Sequence, residues 1–379
     1  AELCARIRAE IEREGGWISF ARFMALALYA EGLGYYEAHA PFGDAGDFIT
    51  APRLGRLFAL AVADLLAWAH EALPGDEPLN IVEQGAADGA LIVPLAQIFK
   101  ERGLDARWIA IERSARLREA LRERADNAGI SVEVYSNEAA LPAIPRGVWL
   151  SNELVDAFPV RRFVWDGEKA IELGVGWDGA RFVWRQGPPI ALPPTARALA
   201  PQWPSGYVHE FCDAIAAWRA RIADKLQRGV VITVDYGFTA QELYRPNRIG
   251  GTLAVHEGHR RLDAPEAALE APGRRDISAH VDFSLVALEA ARTSFQPLAF
   301  TTQGAWIAQS PSVQQAVMQA ASHNELEVLA EIKRLTMPQQ MGETFKILID
   351  ARGLGAPPPY LSRFLHTQRL LDVLDAGLA

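Results

Sequence analysis

The stretch IVEQGAADGALIVPLAQIF at positions 81–99 constrains the fold more than any other part of the chain. Two β-branched residues lead to an acidic residue, Glu83, and a turn containing Gly85 and Gly89 precedes an apolar helical pattern. This order predicts a strand, a glycine turn and a helix. Such a turn lets the backbone approach a ligand closely and presents helix N-terminal N–H groups to it.

The composition of the turn indicates which ligand it suits. It lacks the third glycine of a dinucleotide-binding turn, and Asp88 would lie unfavourably beside a pyrophosphate. S-adenosylmethionine (SAM) carries a cationic amino group and a sulfonium but no phosphate, so an acidic strand end with an E-x-G-x-x-x-G turn suits SAM better. A turn whose glycines serve only packing is the competing interpretation, and a nicotinamide enzyme is the weakest alternative.

Short runs rich in Val and Ile alternate with helical patterns along most of the chain. Strands are predicted at 79–84, 107–112, 131–135, 147–151, 229–235, 296–303 and 344–350. Helices are predicted to follow the first four strands, starting near Gly89, Ser114, Asn137 and Val155. This alternation is typical of an α/β fold with a parallel sheet and right-handed crossovers.

Two regions depart from that alternation. Helices are predicted at 3–14, 20–30 and 54–72, and two Asp-Gly turn signals within 161–186 predict an antiparallel β-meander, with a helix near 209–227. We therefore expect four regions. They are an N-terminal helical cap with a lid loop (1–75), the first part of the core (76–159), an inserted substrate-side region (160–228) and the remainder of the core (229–379).

Composition excludes several classes of partner. The net charge is −9 and the pI is near 5.5, which argues against nucleic acid and anionic membrane surfaces. No apolar run is long enough to cross a bilayer. The histidines between 256 and 280 lack metal-ligand spacing, so no metal site is predicted. Only two cysteines occur, which favours reduced thiols and a cytoplasmic protein.

Ligands in an open parallel sheet bind beyond the carboxyl ends of the strands, so polar residues at those ends are candidates for the site. Glu112 ends the second strand and could accept hydrogen bonds from two ribose hydroxyls, although a surface carboxylate is the plainer interpretation. The fifth strand ends in Asp235 and Tyr236.

The segment LSNELVDAFPVRRF at 150–163 places Asn152 and Glu153 directly after a buried strand, with Asp156 three residues on. Two carboxylates and an amide at this position could hold a cationic amine or guanidinium, or accept its proton. Capping of a helix by Asn152, with acids favoured in its first turn, is the alternative. Two further candidates are His280, as a base, and Tyr35, Tyr36 and Tyr236, as an aromatic cage for a cation.

Motifs in one order then point to a known family: GDFITAP (46–52), E-x-G-x-x-x-G, SNELVDAFPVRRF, VDYG (234–237), GGTL (250–253), DISAHVDF (276–283), TTQGAW (301–306) and MGETFKIL (341–348). Together they resemble the MidA-like family of class I SAM-dependent methyltransferases. The similarity runs from ISFARFMALALY (18–29) to the last predicted strand. The mitochondrial member of that family assists complex I assembly by methylating a protein arginine.

The resemblance implies a Rossmann-like, seven-stranded methyltransferase sheet with an N-terminal helical cap and a β-meander insertion. Asn152, Glu153 and Asp156 would be catalytic, with Asn152 and Glu153 flanking the transferring methyl. The residues implied to bind SAM, and its product S-adenosylhomocysteine, are Asp47, Phe48, Thr50, Glu83, Gly85, Ala87, Gly89, Glu112 and Asn152.

The chain departs from the family pattern at two places. Gln84, Ala86, Ala87 and Asp88 replace the middle of the usual E-L-G-P-G-x-G turn. Ala87 adds only a methyl group, which the turn tolerates if the backbone there avoids positive φ. Arg53 stands where the family usually has Glu, which removes an acid near the cleft. These changes indicate a divergent bacterial subgroup.

The leading hypothesis is a methyltransferase acting on a nitrogen or oxygen nucleophile, with a protein arginine as one candidate. Methylation of a small molecule is the second hypothesis. A third, of a different class, is a non-catalytic assembly factor that keeps the fold. The oligomeric state stays open, a homodimer being one option.

Overall fold

The computed structural model describes residues 1–38, 50–258, 260–262, 265–364 and 370. Its N-terminal elements are α1 (Glu2–Arg13), β1 (Ile18–Ser19), α2 (Phe20–Tyr29), α3 (Tyr35–Ala38), α4 (Ala51–Leu54) and α5 (Leu57–Ala72). The next elements are β2 (Leu79–Gln84), α6 (Ile92–Glu101), β3 (Ala106–Ile111), α7 (Ala115–Asn127), β4 (Glu133–Tyr135) and β5 (Gly147–Asn152).

The inserted region contains β6 (Arg161–Trp165), β7 (Ala170–Trp177), β8 (Phe182–Pro189), α8 (Pro194–Arg197), β9 (Val208–Phe211) and α9 (Ile215–Lys225). The remaining elements are β10 (Gly229–Phe238), α10 (Ala240–Leu243), β11 (Ala254–Glu257), β12 (Arg260–Leu262), β13 (Asp276–Ser278), β14 (Val281–Asp282), α11 (Phe283–Arg292), β15 (Gln296–Thr302), α12 (Gln303–Gln309), α13 (Pro311–His323), α14 (Leu326–Thr336) and β16 (Phe345–Arg352).

Seven of these strands form the central sheet, in the order β15-β16-β10-β5-β2-β3-β4. The pairs β10–β5, β5–β2, β2–β3 and β3–β4 are parallel, whereas β16 is antiparallel to both of its neighbours. The short β14 adds a parallel pair at the carboxyl end of β10. The predicted seven-stranded, Rossmann-like methyltransferase sheet is therefore confirmed.

Burial on both faces explains why the central strands are almost continuously apolar. Along β10, Val230, Ile232 and Val234 pack into one buried cluster together with residues of α5 and α6. Val231 points to the opposite face, where it packs with residues of α9 and α11. Because successive side chains along a strand point to opposite faces of the sheet, each strand packs against both helical layers of the core.

The insertion forms a second, antiparallel sheet in the order β1-β7-β6-β9, with β8 paired to β7. Asp166 and Asp178 stabilise its turns. The Oδ1 atom of Asp166 accepts hydrogen bonds from the N–H groups of Glu168 and Lys169, both at 2.8 Å. The predicted meander is present as expected.

The N-terminal segment adds a strand to this second sheet. Ile18 and Ser19 pair with Val175 and Gly174 of β7, which places α1 and α2 against the meander. Phe20 and Phe23 of α2 lie in the same buried cluster as Val175. The cap and the insertion therefore share one sheet and one core. The sequence does not predict this pairing, because β1 is only two residues long.

The structure corrects several predicted elements. The helix predicted near Val155 is a single 3-10 turn, Val155–Ala157, because Pro159 follows at once and disfavours helical backbone before it. The turn after Asn137 is also 3-10. The helix predicted at 209–227 begins only at Ile215, after β9. Among the described helices, none combines the length and apolarity needed to cross a membrane.

Candidate functional site

The glycine turn between β2 and α6 lies at the carboxyl edge of the central sheet. Gly85 has a φ of +76° and Gly89 a φ of +80°. The N–H of Gly85 donates to the carbonyl oxygen of Ile111 at 2.8 Å. A Cβ at Gly85 would lie 2.9 Å from the Cδ1 atom of Leu154, so a side chain there requires Leu154 to shift as well as a strained backbone.

Ala87 adopts a φ of +48°, so the condition under which alanine fits the turn without strain is not met. Its N–H group donates to the Oε2 atom of Glu112 at 2.9 Å, which holds the turn in this conformation. The left-handed region places the Cβ of alanine too close to its own backbone.

We expect Ala87→Gly to stabilise the protein by up to about 1 kcal/mol, because glycine adopts positive φ without that steric cost and keeps the N–H donor. Thermal or denaturant unfolding measures the change. Ala86→Gly is the control: Ala86 is buried, its φ is not positive, and its replacement should destabilise the protein. Equal destabilisation by both substitutions would contradict the strain assigned to Ala87.

Two carboxylates flank the glycine turn. Burial raises the pKa of Glu83 to about 8, and the nearby charges of Asp88 and Glu112 add to this effect. The Oε2 atom of Glu83 is buried and has no hydrogen-bond partner in the described part of the chain. The two oxygens of Glu112 accept hydrogen bonds from the N–H groups of Ala87 and Ser114, and each keeps a further lone pair for a ligand.

Asp88, the acid within the turn, is bound by two arginines. Its Oδ1 atom accepts a hydrogen bond from Arg53 at 2.5 Å and its Oδ2 atom one from Arg124 at 2.6 Å. Burial opposes ionisation of Asp88, but the hydrogen bond and charge of Arg53, with those of Arg124, outweigh it and lower the pKa. Asp88 is thus held in its ionised form, with its charge balanced by the two arginines.

Gln84, the residue before the turn, connects the central sheet to the insertion. Its Oε1 atom accepts hydrogen bonds from the indole N–H groups of Trp149 at 3.0 Å and Trp218 at 2.8 Å. Its amide nitrogen donates to the Oε1 atom of Glu138 at 2.8 Å. Because Trp218 belongs to α9, one buried amide joins β2, β5 and the insertion.

Asn152 and Glu153 lie at the end of β5. Glu153 has a φ of +50°, and its N–H donates to the carbonyl oxygen of Val234 at 2.9 Å. Burial raises the pKa of Glu153 to about 8, the charge of Asp156 raises it further, and the N–H of Ala51 opposes this shift. The Oδ1 atom of Asn152 is buried without a hydrogen-bond partner among the described residues. A strained acid and an unpartnered amide oxygen are features of a functional site.

Asp156 and Asp235 lie beside them. The Oδ2 atom of Asp235 accepts hydrogen bonds from the N–H groups of Leu154, Val155 and Asp156 at 3.2, 2.9 and 3.3 Å, so Asp235 shapes the 3-10 turn. The hydroxyl of Tyr236 donates to the Oδ2 atom of Asp156 at 2.5 Å. Burial raises the pKa of Asp156 to about 6. Its Oδ1 atom, also buried, has no hydrogen-bond partner in the described chain.

Aromatic residues of the cap meet this cluster, but they do not form the cage considered from the sequence. Tyr35 is buried in the core, and the hydroxyl of Tyr36 donates to the Oδ1 atom of Asp276 at 2.7 Å. Tyr29, which the sequence did not single out, donates to the carbonyl oxygen of Ala157 at 2.6 Å and stacks on Tyr36. These tyrosines connect the cap to the residues around the turn at 155–157.

The other predicted site residues have different outcomes. Thr50 is buried and directly precedes α4, whereas Asp47 and Phe48 lie outside the described residues. His280 stacks on Phe238 with ring centres 5.2 Å apart, and burial lowers its pKa to about 4, so it is neutral near pH 7. Within the described residues, no group of three or more His, Cys, Asp and Glu side chains could hold a metal ion.

Comparison with known proteins agrees with this geometry. A family model described as "Putative S-adenosyl-L-methionine-dependent methyltransferase" matches residues 59–301. The chain is 25% identical to the mitochondrial protein arginine methyltransferase NDUFAF7 of Danio rerio, covering 87% of this chain and 82% of that protein. The NDUFAF7 homolog of Drosophila melanogaster is also 25% identical, with coverages of 91% and 84%.

A solved structure is more similar still. It is a "likely methyl transferase" from Burkholderia thailandensis bound to S-adenosyl-homocysteine, 32% identical, with a TM-score of 0.86. The alignment covers 96% of this chain and 95% of that chain. With the sheet topology and the family match, these similarities show that the chain belongs to the MidA-like family and is a SAM-dependent methyltransferase.

Proposed function

We propose that the methyl acceptor is a cationic nitrogen group, the guanidinium of a protein arginine, and that Asn152, Glu153 and Asp156 receive it. One observation carries this proposal. Buried oxygens of Asp156 and Asn152 lack hydrogen-bond partners in the described chain, beside a second carboxylate, Glu153. Such oxygens match the several N–H donors of a guanidinium. The arginine methyltransferases among the relatives support the same acceptor.

We further propose that SAM lies along the glycine turn, on Glu83, Gly85, Ala87 and Gly89. The residues present fit this cofactor. Gly85 and Gly89 adopt positive φ, a conformation that favours glycine and bares the backbone to a ligand, and Glu83 offers an unpartnered oxygen to a cationic group. Glu112 would hold the ribose, while Thr50, Asn152 and, outside the described residues, Asp47 and Phe48 would complete the site.

The mechanism requires alignment and removal of one proton. SAM supplies a methyl group on a positively charged sulfur. Glu153 and Asp156 hold the guanidinium so that one nitrogen faces that methyl, and the Oδ1 atom of Asn152 accepts one of its N–H groups. As the new N–C bond forms and the S–C bond breaks, ionised Glu153 accepts the proton that the nitrogen releases. The cap (1–75) and the insertion (160–228) would form the walls above the core.

The activity should depend on pH through Glu153. Since its pKa is raised to about 8, the carboxylate that binds a cation is a minor form at pH 6 and the major form above pH 8. We expect kcat/KM for the acceptor to rise by up to about tenfold per pH unit below pH 8 and to level off above it. Arginine stays charged throughout this range, so it adds no titration of its own.

Initial-rate measurements at saturating SAM between pH 5.5 and 9.5 give this profile. Glu153→Gln should show a lower profile that is flat above about pH 7, where Asp156, with a pKa of about 6, is already ionised. A wild-type profile that is already flat between pH 6 and 8 would contradict the role of Glu153 as the ionising base.

The acceptor itself is tested with isotopically labelled SAM and a cell lysate, followed by acid hydrolysis of the labelled protein. Label recovered as methylarginine supports the proposal. Label in small metabolites, or in other amino acids, rejects arginine as the acceptor and favours the small-molecule alternative.

We also propose a cytoplasmic location, which the two free thiols, Cys4 and Cys212, support.

A further inference from the structure

Arg53 and Asp88 are both positions at which the chain departs from the MidA-like pattern, and the structure brings them together. The Nη2 atom of Arg53 lies 2.5 Å from the Oδ1 atom of Asp88, and each side chain is 17% exposed. Arg124 anchors the same acid from the other side, with its Nε atom 2.9 Å from the carbonyl oxygen of Asp88. Two residues that depart from the family pattern therefore form one ion pair, which joins the cap to the glycine turn.

The segment that carries Arg53 also reaches the proposed catalytic carboxylate. Arg53 belongs to α4 (Ala51–Leu54), and the N–H of Ala51, two residues earlier, donates to Glu153. Four residues thus contact the glycine turn on one side and Glu153 on the other. Because α4 is too short to be stable alone, its position depends on such tertiary contacts.

We propose that Arg53 and Asp88 are a positioning pair that holds α4 against both the cofactor turn and Glu153, and so sets the affinity for SAM. This inference rests on the proposed placement of SAM and of Glu153. The pair is mostly shielded from water, where a charge-assisted hydrogen bond between a guanidinium and a carboxylate is strong and directional. Neither residue takes part in the methyl transfer itself.

A double-mutant cycle tests the pair, using calorimetric titration with S-adenosylhomocysteine. Arg53→Met and Asp88→Asn should each weaken binding by about tenfold, and the double variant should be no weaker than the worse single variant. Arg53→Lys should recover part of the loss, because it keeps the charge but not the planar fork. Additive losses, or single variants with unchanged affinity, would overturn the proposal.

A second readout distinguishes positioning from a general loss of stability. If α4 shifts, the N–H of Ala51 no longer stabilises the Glu153 carboxylate, so the pH midpoint of kcat/KM should move to higher pH in Arg53→Met. The matched control is the ion pair of Arg56 and Glu101, whose side chains are both 58% exposed. Arg56→Gln and Glu101→Gln should leave affinity and midpoint unchanged.

The placement of SAM can fail separately from the pair. If Gly85→Val keeps wild-type affinity for S-adenosylhomocysteine, the glycine turn is not the cofactor site and both proposals fall. If Gly85→Val loses binding while Arg53→Met and Asp88→Asn keep it, the site stands and only the positioning role is rejected. If Arg53→Met weakens binding but leaves the pH midpoint of kcat/KM unchanged, α4 does not act on Glu153 and that part of the proposal is rejected.

Discussion

Replacing Gly85 by Val should abolish binding of SAM while the chain still folds. The substitution puts a β-branched side chain at a φ of +76°, and even its Cβ would lie 2.9 Å from Leu154. The turn must therefore change its backbone conformation at the position where we place the cofactor. Calorimetry with SAM should show an affinity at least about 100-fold weaker. Since each tenfold change corresponds to about 1.4 kcal/mol, the binding free energy should weaken by at least about 2.8 kcal/mol.

Gly103→Val is the matched control for this substitution. Gly103 follows α6 with a φ of +67°, and nothing lies within 4 Å of its added Cβ. This variant shares the backbone strain but not the clash, so it should lose thermal stability and keep its affinity for SAM. If both variants bind SAM equally well, the glycine turn has no role in holding the cofactor.

Removing either acid at the end of β5 should nearly stop methyl transfer and leave cofactor binding intact. Asp156→Asn and Glu153→Gln keep the size of each side chain but remove the negative charge that attracts and deprotonates a cationic acceptor. We expect kcat/KM for the acceptor to fall by about 100-fold or more, in the range usual for general acid–base groups. Affinity for SAM should stay within about threefold of the wild type.

Glu289→Gln provides the control for this pair of substitutions. Glu289 is a mostly buried acid on α11 that pairs with Arg292, and no role in the site is assigned to it. Turnover should be unchanged in this variant. Wild-type turnover in both Asp156→Asn and Glu153→Gln would show that the acceptor is held elsewhere, and would also remove the physical basis for an arginine acceptor.

The central sheet could be predicted because its strands carry their own signal. The runs at 147–151 and 229–235 are buried on both faces, so apolar residues mark them with little interruption, and Leu79, Ile81 and Val82 mark the run at 79–84. The edge strand β4 was predicted two residues too long, because its residues are only half-buried and the pattern is weaker there. Turn chemistry identified the meander in the same direct way.

Elements that depend on distant partners could not be predicted. Pro159 is a local signal that shortens the helix at 155, but the hydrogen bonds that shape the 3-10 turn at Val155–Ala157 go to Asp235, 80 residues further on. The positive φ of Ala87 accompanies a hydrogen bond to Glu112, 25 residues away, and no local pattern indicates it. The pairing of β1 with β7 depends on two residues, which is too few for a periodic pattern.

The candidate site was partly predictable for a related reason. The carboxyl ends of parallel strands meet at one edge of a sheet, so the sequence alone assigns Glu83, Glu112 and Glu153 to one region. The hydrogen-bond partners of these acids could not be predicted in the same way. Arg53 lies 35 residues from Asp88, and Tyr236 lies 80 residues from Asp156, so the interactions that tune these acids leave no local pattern.

The hydrogen bonds of the Gln84 amide restrict how far the segment that carries Trp218 can move from the core. To move α9 away from the core, a motion would have to break the hydrogen bond from Trp218 to Gln84, which costs about 1–3 kcal/mol if the indole N–H stays buried without a partner. Helix α9 is thus anchored to β2 and β5. New acceptor preferences would then arise more readily from exchanged side chains in this part of the insertion than from its displacement.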